Sequence, residues 1–258
     1  MNVNSMIYKD KNTIEEMLKS FKLLDIQDNL EEQIKIAVEN KLSHRQFLEN
    51  LLKIEKLGKK ERRKNRNIKA AKFEKIATLE EFDFSFQPSI NIAQIKELAT
   101  LKFMNKKENI IFIGPNGVGK SYLSQAIGIR ACEEGKTVLF VSATELLNNL
   151  EKAYEENRLK ELFKKLKRID LLIIDEFSHF QMNKEKESIF FQLIRQRYEK
   201  SSLIITTNIP LGSWDKIFTS KLAATAVLDR LVHHCHIISI SGDSFRVKGK
   251  VKEENLEK

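Results

Sequence analysis

Gly114-Pro-Asn-Gly-Val-Gly-Lys-Ser121 stands between a short apolar run, Ile110–Ile113, and a stretch of helical character from about Lys120 to Glu134. This G-x-x-x-x-G-K-[ST] spacing, set between a strand and a helix, restricts the chain more than any other feature it carries. Gly114, Gly117 and Gly119 let backbone N–H groups turn inward around phosphate oxygens, and the helix N-terminus adds its partial positive charge. Lys120 is placed to reach β- and γ-phosphates, and the Ser121 hydroxyl to ligate Mg²⁺. Pro115, Asn116 and Val118 complete the loop. A chance glycine-rich turn would not need the flanking strand and helix.

Four more apolar runs follow: TVLFV (137–141), DLLIID (170–175), LIITT (203–207) and HIISI (236–240). Each is short, β-rich and hardly alternating, the pattern of strands buried on both faces of a parallel sheet. The intervening lengths suit crossover helices, so the class is α/β. In Leu171-Leu-Ile-Ile-Asp-Glu176 the strand delivers Asp175 to the C-terminal edge of the sheet, where open α/β sheets bind ligands. Asp175 would hold Mg²⁺, directly or through water, opposite Ser121. Glu176 would orient or deprotonate an attacking water. A buried structural acid pair is the competing reading. The next strand ends in Thr206-Thr207-Asn208, whose polar tip would hold the same water. Taken alone, that triplet is as often a cap or turn.

Before residue 82 there is almost no strand signal. Ile14, Met17, Leu18, Phe21 and Leu24 fall at helical spacing, as do Phe47, Leu51, Ile54 and Leu57, with Ser43 and Gln46 as a capping box. Residues 1–66 read as a small helical domain, 67–248 as the sheet domain and 249–258 as a polar tail. Composition matters here because most of the net charge of +9 is concentrated: residues 56–75 hold 10 Lys/Arg against 2 Asp/Glu. Such a segment suits a polyanion, with Lys59, Lys60, Arg62, Arg63 and Lys64 as candidate phosphate contacts. A solvated basic linker is the plain alternative.

No apolar run is long enough to span a bilayer, and the N-terminus has no signal-peptide core. Cys132 and Cys235 cannot build a disulfide framework. The expectation is a cytoplasmic protein with no membrane partner. His233, His234, Cys235 and His236 are not read as a metal cluster, because neighbours at a helix-to-strand transition point apart. Cys132 is read as core, Trp214 as packed beside the fourth strand, and His179 as a loop contact.

With these residues placed, the chain resembles AAA+ ATPases of the IstB/DnaC group. The nearer likeness is to IstB-like insertion-sequence ATP-binding proteins, the ATPase helpers of a transposase. The likeness is carried by LEEFDFSFQPSIN (79–91), FIGPNGVGKSYLSQAIGIRA (112–131), DLLIIDEFSHF (170–180), FQLIRQRYEKSSLIITTNIPLGSW (191–214) and AVLDRLVHHCHIISISGDSFR (226–246). It implies a P-loop AAA+ core with a five-stranded parallel sheet in order 5-1-4-3-2, and ATP and Mg²⁺ as cofactors. It also implies ATP hydrolysis and ATP-dependent self-assembly into a ring or spiral. Arg230 matches an arginine finger acting in trans, and Arg246 a residue sensing nucleotide in cis; Phe245 stands where Tyr is usual. The segment of about Ala143–Arg168, with Lys152, Arg158 and Lys160, would face duplex DNA without sequence preference. The N-terminal domain would meet DNA or the transposase encoded by the same element. A DnaC-type helicase loader, an assembly switch with little turnover and a small-metabolite kinase are the alternatives. The acid pair counts against the kinase.

Overall fold

A computed structural model describes residues 13–178 and 180–245, and the chain divides into two units, residues 1–64 and 65–258. The first contains α1 (Ile14–Ser20), α2 (Leu24–Glu39) and the start of α3 (His44–Ala71). Thr13 and Glu16 form a capping box that opens α1. Ser43 and Gln46 form another ahead of α3: the Gln46 N–H donates to Ser43 Oγ at 3.3 Å and the Ser43 N–H to Gln46 Oε1 at 2.8 Å. The apolar spacing from Ile14 to Leu24 does not make one helix. Lys22 takes a left-handed backbone (φ +56°) between α1 and α2, and Phe21 is 72% exposed. The core is Ile26, Leu30 and Leu51, with Leu18, Leu23 and Phe47 against them. The basic run after residue 56 is helical, as α3 continues to Ala71.

Glu55, only 3% exposed, organises this unit. Leu23, at the N-cap of α2, supplies no side-chain cap. Glu55 Oε2 replaces it, accepting from the N–H groups of Asp25 (3.0 Å) and Ile26 (3.1 Å). Its charge also complements the helix N-terminus. Arg62 then bonds both Asp25 and Glu55. Gly58 makes room, since a Cβ there would stand 1.9 Å from Asp25 Oδ1. Glu55→Ala is expected to leave two helix-start N–H groups without an acceptor, lowering the stability of this unit by about 2 kcal/mol. Denaturant unfolding measures it, with Glu55→Gln retaining a larger share. A loss under about 0.5 kcal/mol would remove Glu55 from this role.

The second unit begins, after the end of α3, with α4 (Ile92–Ala99) and α5 (Lys102–Lys106). Then come β1 (Asn109–Ile113), α6 (Lys120–Glu133), β2 (Val138–Ser142), α7 (Ala143–Glu155), α8 (Leu159–Leu166) and β3 (Leu171–Asp175). Next are α9 (Lys184–Arg197), β4 (Ser202–Thr207), a 3₁₀ turn (Leu211–Lys216), α10 (Lys221–Val232) and β5 (Cys235–Ser239). All strand pairs are parallel, in order β2-β3-β4-β1-β5, which is the order the resemblance implies. β1, β3 and β4 are central, and Ile110–Phe112, Leu171–Ile174 and Leu203–Ile205 are buried. That is why their sequences lack alternation. One apolar cluster gathers Leu146, Phe177, Phe190, Trp214 and Val227, and another Leu98, Phe103, Leu123 and Ile127. Trp214 is fully buried, its ring 4.6 Å from that of Phe177.

The segment of about Ala143–Arg168 contains two helices, with Asn157 at φ +56° between them. Arg197, 2% exposed, anchors the opposite edge of the sheet. Its guanidinium donates to the carbonyls of Leu166 (2.9 Å), Ile169 (3.1 Å) and Ser202 (3.0 Å). Burial pushes its pKa down to about 10. Among the described residues no helix is long and apolar enough to cross a membrane.

Candidate nucleotide site

The sheet order sets the tips of β1, β4 and β3 side by side, and the chain leaves each tip with polar residues. The loop after β1 hangs from β4, with the Gly114 N–H donating to Thr207 O at 3.1 Å. Gly117 (φ +82°) and Gly119 (φ +101°) hold conformations that side chains resist. Both also allow close approach. A Cβ on Gly117 would lie 2.0 Å from Ser244 Oγ, and one on Gly119 2.6 Å from the Phe82 ring. Lys120, 8% exposed, folds its Nζ back to Gly114 O (2.8 Å) and Pro115 O (2.6 Å).

A cavity of about 320 Å³ opens over this loop. Asn116, Gly117, Val118, Gly119, Lys120 and Ser121 line one side, and Glu176, Thr206, Thr207 and Asn208 another. The candidate nucleotide, hydrolytic and water-holding residues thus share one wall system. Asn208 Nδ2 donates to Asn116 Oδ1 at 3.2 Å, linking the β4 tip to the loop. Asp175 sits behind the wall, 4% exposed, accepting the Thr206 hydroxyl on Oδ1. Glu176 follows it in a left-handed conformation (φ +54°), with its side chain exposed.

The far wall was not found from the sequence. Phe82, Phe86, Gln87, Tyr122 and Phe245 line it. Phe86 and Phe245 meet edge to face at 5.3 Å. Gln87 Nε2 donates to Asp243 O (2.8 Å), and the Phe245 N–H to Gly117 O (3.0 Å). Two segments distant in sequence are therefore joined over the phosphate loop. The signal was present: Phe82, Phe84 and Phe86 alternate in a segment too polar to be a core strand.

Other candidates lie elsewhere. Arg230 does not line the cavity; its Nη1 donates to Ala226 O at 2.8 Å and its guanidinium sits 4.7 Å above the Phe191 ring. Arg246 and His179 fall outside the described residues, as does the 249–258 tail. Of the basic candidates, Arg62 has its two internal carboxylates, and Lys59 stands 3.5 Å from Glu55. Lys64 pairs with Glu61 at 3.6 Å, and Arg158 pairs with Glu156. Lys60, Arg63, Lys152 and Lys160 are exposed. The structure corrects one expectation about the histidines. His233 and His234 do not point apart: their rings are 4.1 Å from each other, and donor atoms of both lie within 4.8 Å of Glu199. Cys235 and His236 are not in that group, and His236 instead meets Glu108 at 2.8 Å. Burial pushes the thiols of Cys132 and Cys235 up to about 12.

The chain is similar to an insertion sequence IS21 ATP-binding protein of Pseudomonas aeruginosa, 39% identical over 95% of this chain and 92% of that one. It is 40% identical to the IS232 counterpart of Bacillus thuringiensis, over 92% of this chain and 95% of that one. Among solved structures, AMPPCP-bound DnaA from Aquifex aeolicus superposes with a TM-score of 0.56 at 22% identity, over 72% of this chain and 56% of that one. DnaI superposes with a TM-score of 0.54 at 21% identity, over 64% and 90%. The likeness to these two is one of fold. The description "IstB-like ATP binding protein" matches residues 16–253, and the chain belongs to that family.

Proposed function

We propose that this protein binds ATP with Mg²⁺ at the tips of β1, β4 and β3, hydrolyses it, and in the ATP-bound state assembles on duplex DNA to assist a transposase of the same insertion sequence. One observation carries the reading: the loop, Ser121, Glu176 and Asn208 line a single cavity. The donor set fits a Mg²⁺–triphosphate. Lys120 would exchange two neutral carbonyls for phosphate oxygens, a stronger charge-assisted pairing. Ser121 and Asp175 would hold Mg²⁺, which supplies charge neutralisation at the phosphates. Glu176 would accept a proton from the attacking water, and Asn208 would hold that water by hydrogen bond. The base would lie against Phe82, Phe86 and Phe245.

The curated relatives are ATP-binding proteins of insertion sequences, which supports the transposition reading. The exposed Lys60, Arg63, Lys152 and Lys160 supply positive charge for a phosphate backbone. The N-terminal helical domain, residues 1–66, would meet DNA or the transposase. Arg230 would leave Phe191 to complete a neighbour's site.

The test is particle mass on duplex and single-stranded DNA with a slowly hydrolysed ATP analogue. A large, ATP-dependent particle on duplex is expected. Preference for single strands would favour a helicase loader, and no assembly on either would overturn the DNA reading. In the same assay Arg230→Ala should keep the ATP affinity of the isolated chain while DNA-stimulated turnover falls about 100-fold. Normal turnover at every protein concentration would show that Arg230 is not a finger.

A further inference from the structure

The exits of β3 and β4 are joined by a side chain of the Thr206-Thr207-Asn208 triplet other than the Asn208 assigned to the water. Regular β3–β4 pairing ends at Ile174 and Ile205. Beyond that pair the chain turns, and Thr206 takes over from the ladder. A threonine hydroxyl has one proton to donate and lone pairs to accept with. Here the proton goes to Asp175 Oδ1, and the oxygen accepts the Glu176 N–H at 3.0 Å. The carbonyl of the same residue accepts the Phe177 N–H at 2.8 Å. Thr206 is fully buried, so neither hydroxyl partner is replaced by bulk water. Three consecutive residues after the last strand pair are thus held by one residue of β4.

We propose that Thr206 is a positioning residue for hydrolysis, its hydroxyl fixing the Asp175 carboxylate and the Glu176 backbone in one arrangement. This rests on the ATPase reading above. Glu176 stands at φ +54°, a conformation disfavoured for any residue with a Cβ and kept only where the surroundings determine it. The Thr206 hydroxyl is the group that receives the Glu176 N–H in that conformation. The two bonds are in series through one oxygen, so each polarises the other. A change in the charge drawn from Asp175 is therefore felt at the amide of Glu176, the residue assigned to the water. Asn208 links the β4 tip to the phosphate loop, and Thr206 links it to the end of β3.

The experiment compares Thr206→Val, which keeps the shape and removes the hydroxyl, with Thr206→Ser, which keeps the hydroxyl. DNA-stimulated turnover and ATP affinity are measured on the full chain. Thr206→Val should lower kcat about 100-fold, the scale of a misplaced catalytic group, with ATP affinity within about threefold of wild type. Thr206→Ser should restore kcat to within about threefold of wild type. If valine prevents folding, alanine against serine makes the same comparison, since both lose the methyl group. In a single-turnover cycle with Glu176→Gln, adding Thr206→Val should cost little more, because both act on one group. Wild-type kcat in Thr206→Val, equal loss in Thr206→Ser, or fully additive losses in the cycle would each overturn the proposal. Absence of turnover in the wild-type chain would instead overturn the ATPase reading itself.

Discussion

Lys120→Ala is expected to weaken ATP binding by about 1,000-fold, leaving none detectable at micromolar nucleotide. Lys120 is mostly buried at the root of α6, with its Nζ against two loop carbonyls. On binding, the same ammonium would meet phosphate oxygens, and two charge-assisted bonds amount to about 4 kcal/mol. The alanine variant also removes the internal tie between α6 and the start of the loop, so the empty loop loses its own support. Titration calorimetry or a fluorescent nucleotide measures the loss. Tight binding by Lys120→Ala would mean that the loop is not where the triphosphate sits.

Glu176→Gln should give the opposite pairing of effects. The amide keeps the length and shape of the side chain but has no carboxylate to take a proton. ATP should bind with wild-type affinity, while turnover falls about 1,000-fold, within the range that general bases contribute. The backbone bond to Thr206 is untouched by this change, so the local conformation persists. The ATP-dependent particle on duplex DNA should then outlast that of the wild-type chain. Hydrolysis at the wild-type rate would assign the proton to another group.

How much of this was legible depended on range. β1, β3 and β4 could be read directly because strands buried on both faces carry unbroken apolar runs. Lys120, Ser121 and Glu176 could be placed because each sits within a residue or two of a strand end or helix start. The strand order came only from resemblance; nothing local in DLLIID says that β4 will lie between it and β1. Local reading failed where one residue broke a periodic pattern. Lys22 takes a left-handed conformation that separates two helices where the apolar spacing from Ile14 to Leu24 runs unbroken. It failed again where a partner was distant. Arg62 looked like one of five equivalent cations, yet Asp25 lies 37 residues away in sequence and takes its charge. Phe86 and Phe245 are 159 residues apart by number and meet only because β5 returns beside β1.

Arg197 bears on how variation in such chains should be weighed. Substitution tables score arginine and lysine as near equivalents, and at the end of an amphipathic helix that exchange usually passes unnoticed. At this position the guanidinium is a planar fork whose two terminal nitrogens serve three carbonyls from two chain segments. An ammonium is a single point on a flexible stem and cannot span them. A lysine allele here would therefore separate a helix end from a strand start, outside the lining of the cavity, and its carrier would fail through the scaffold while every motif in its gene remained intact.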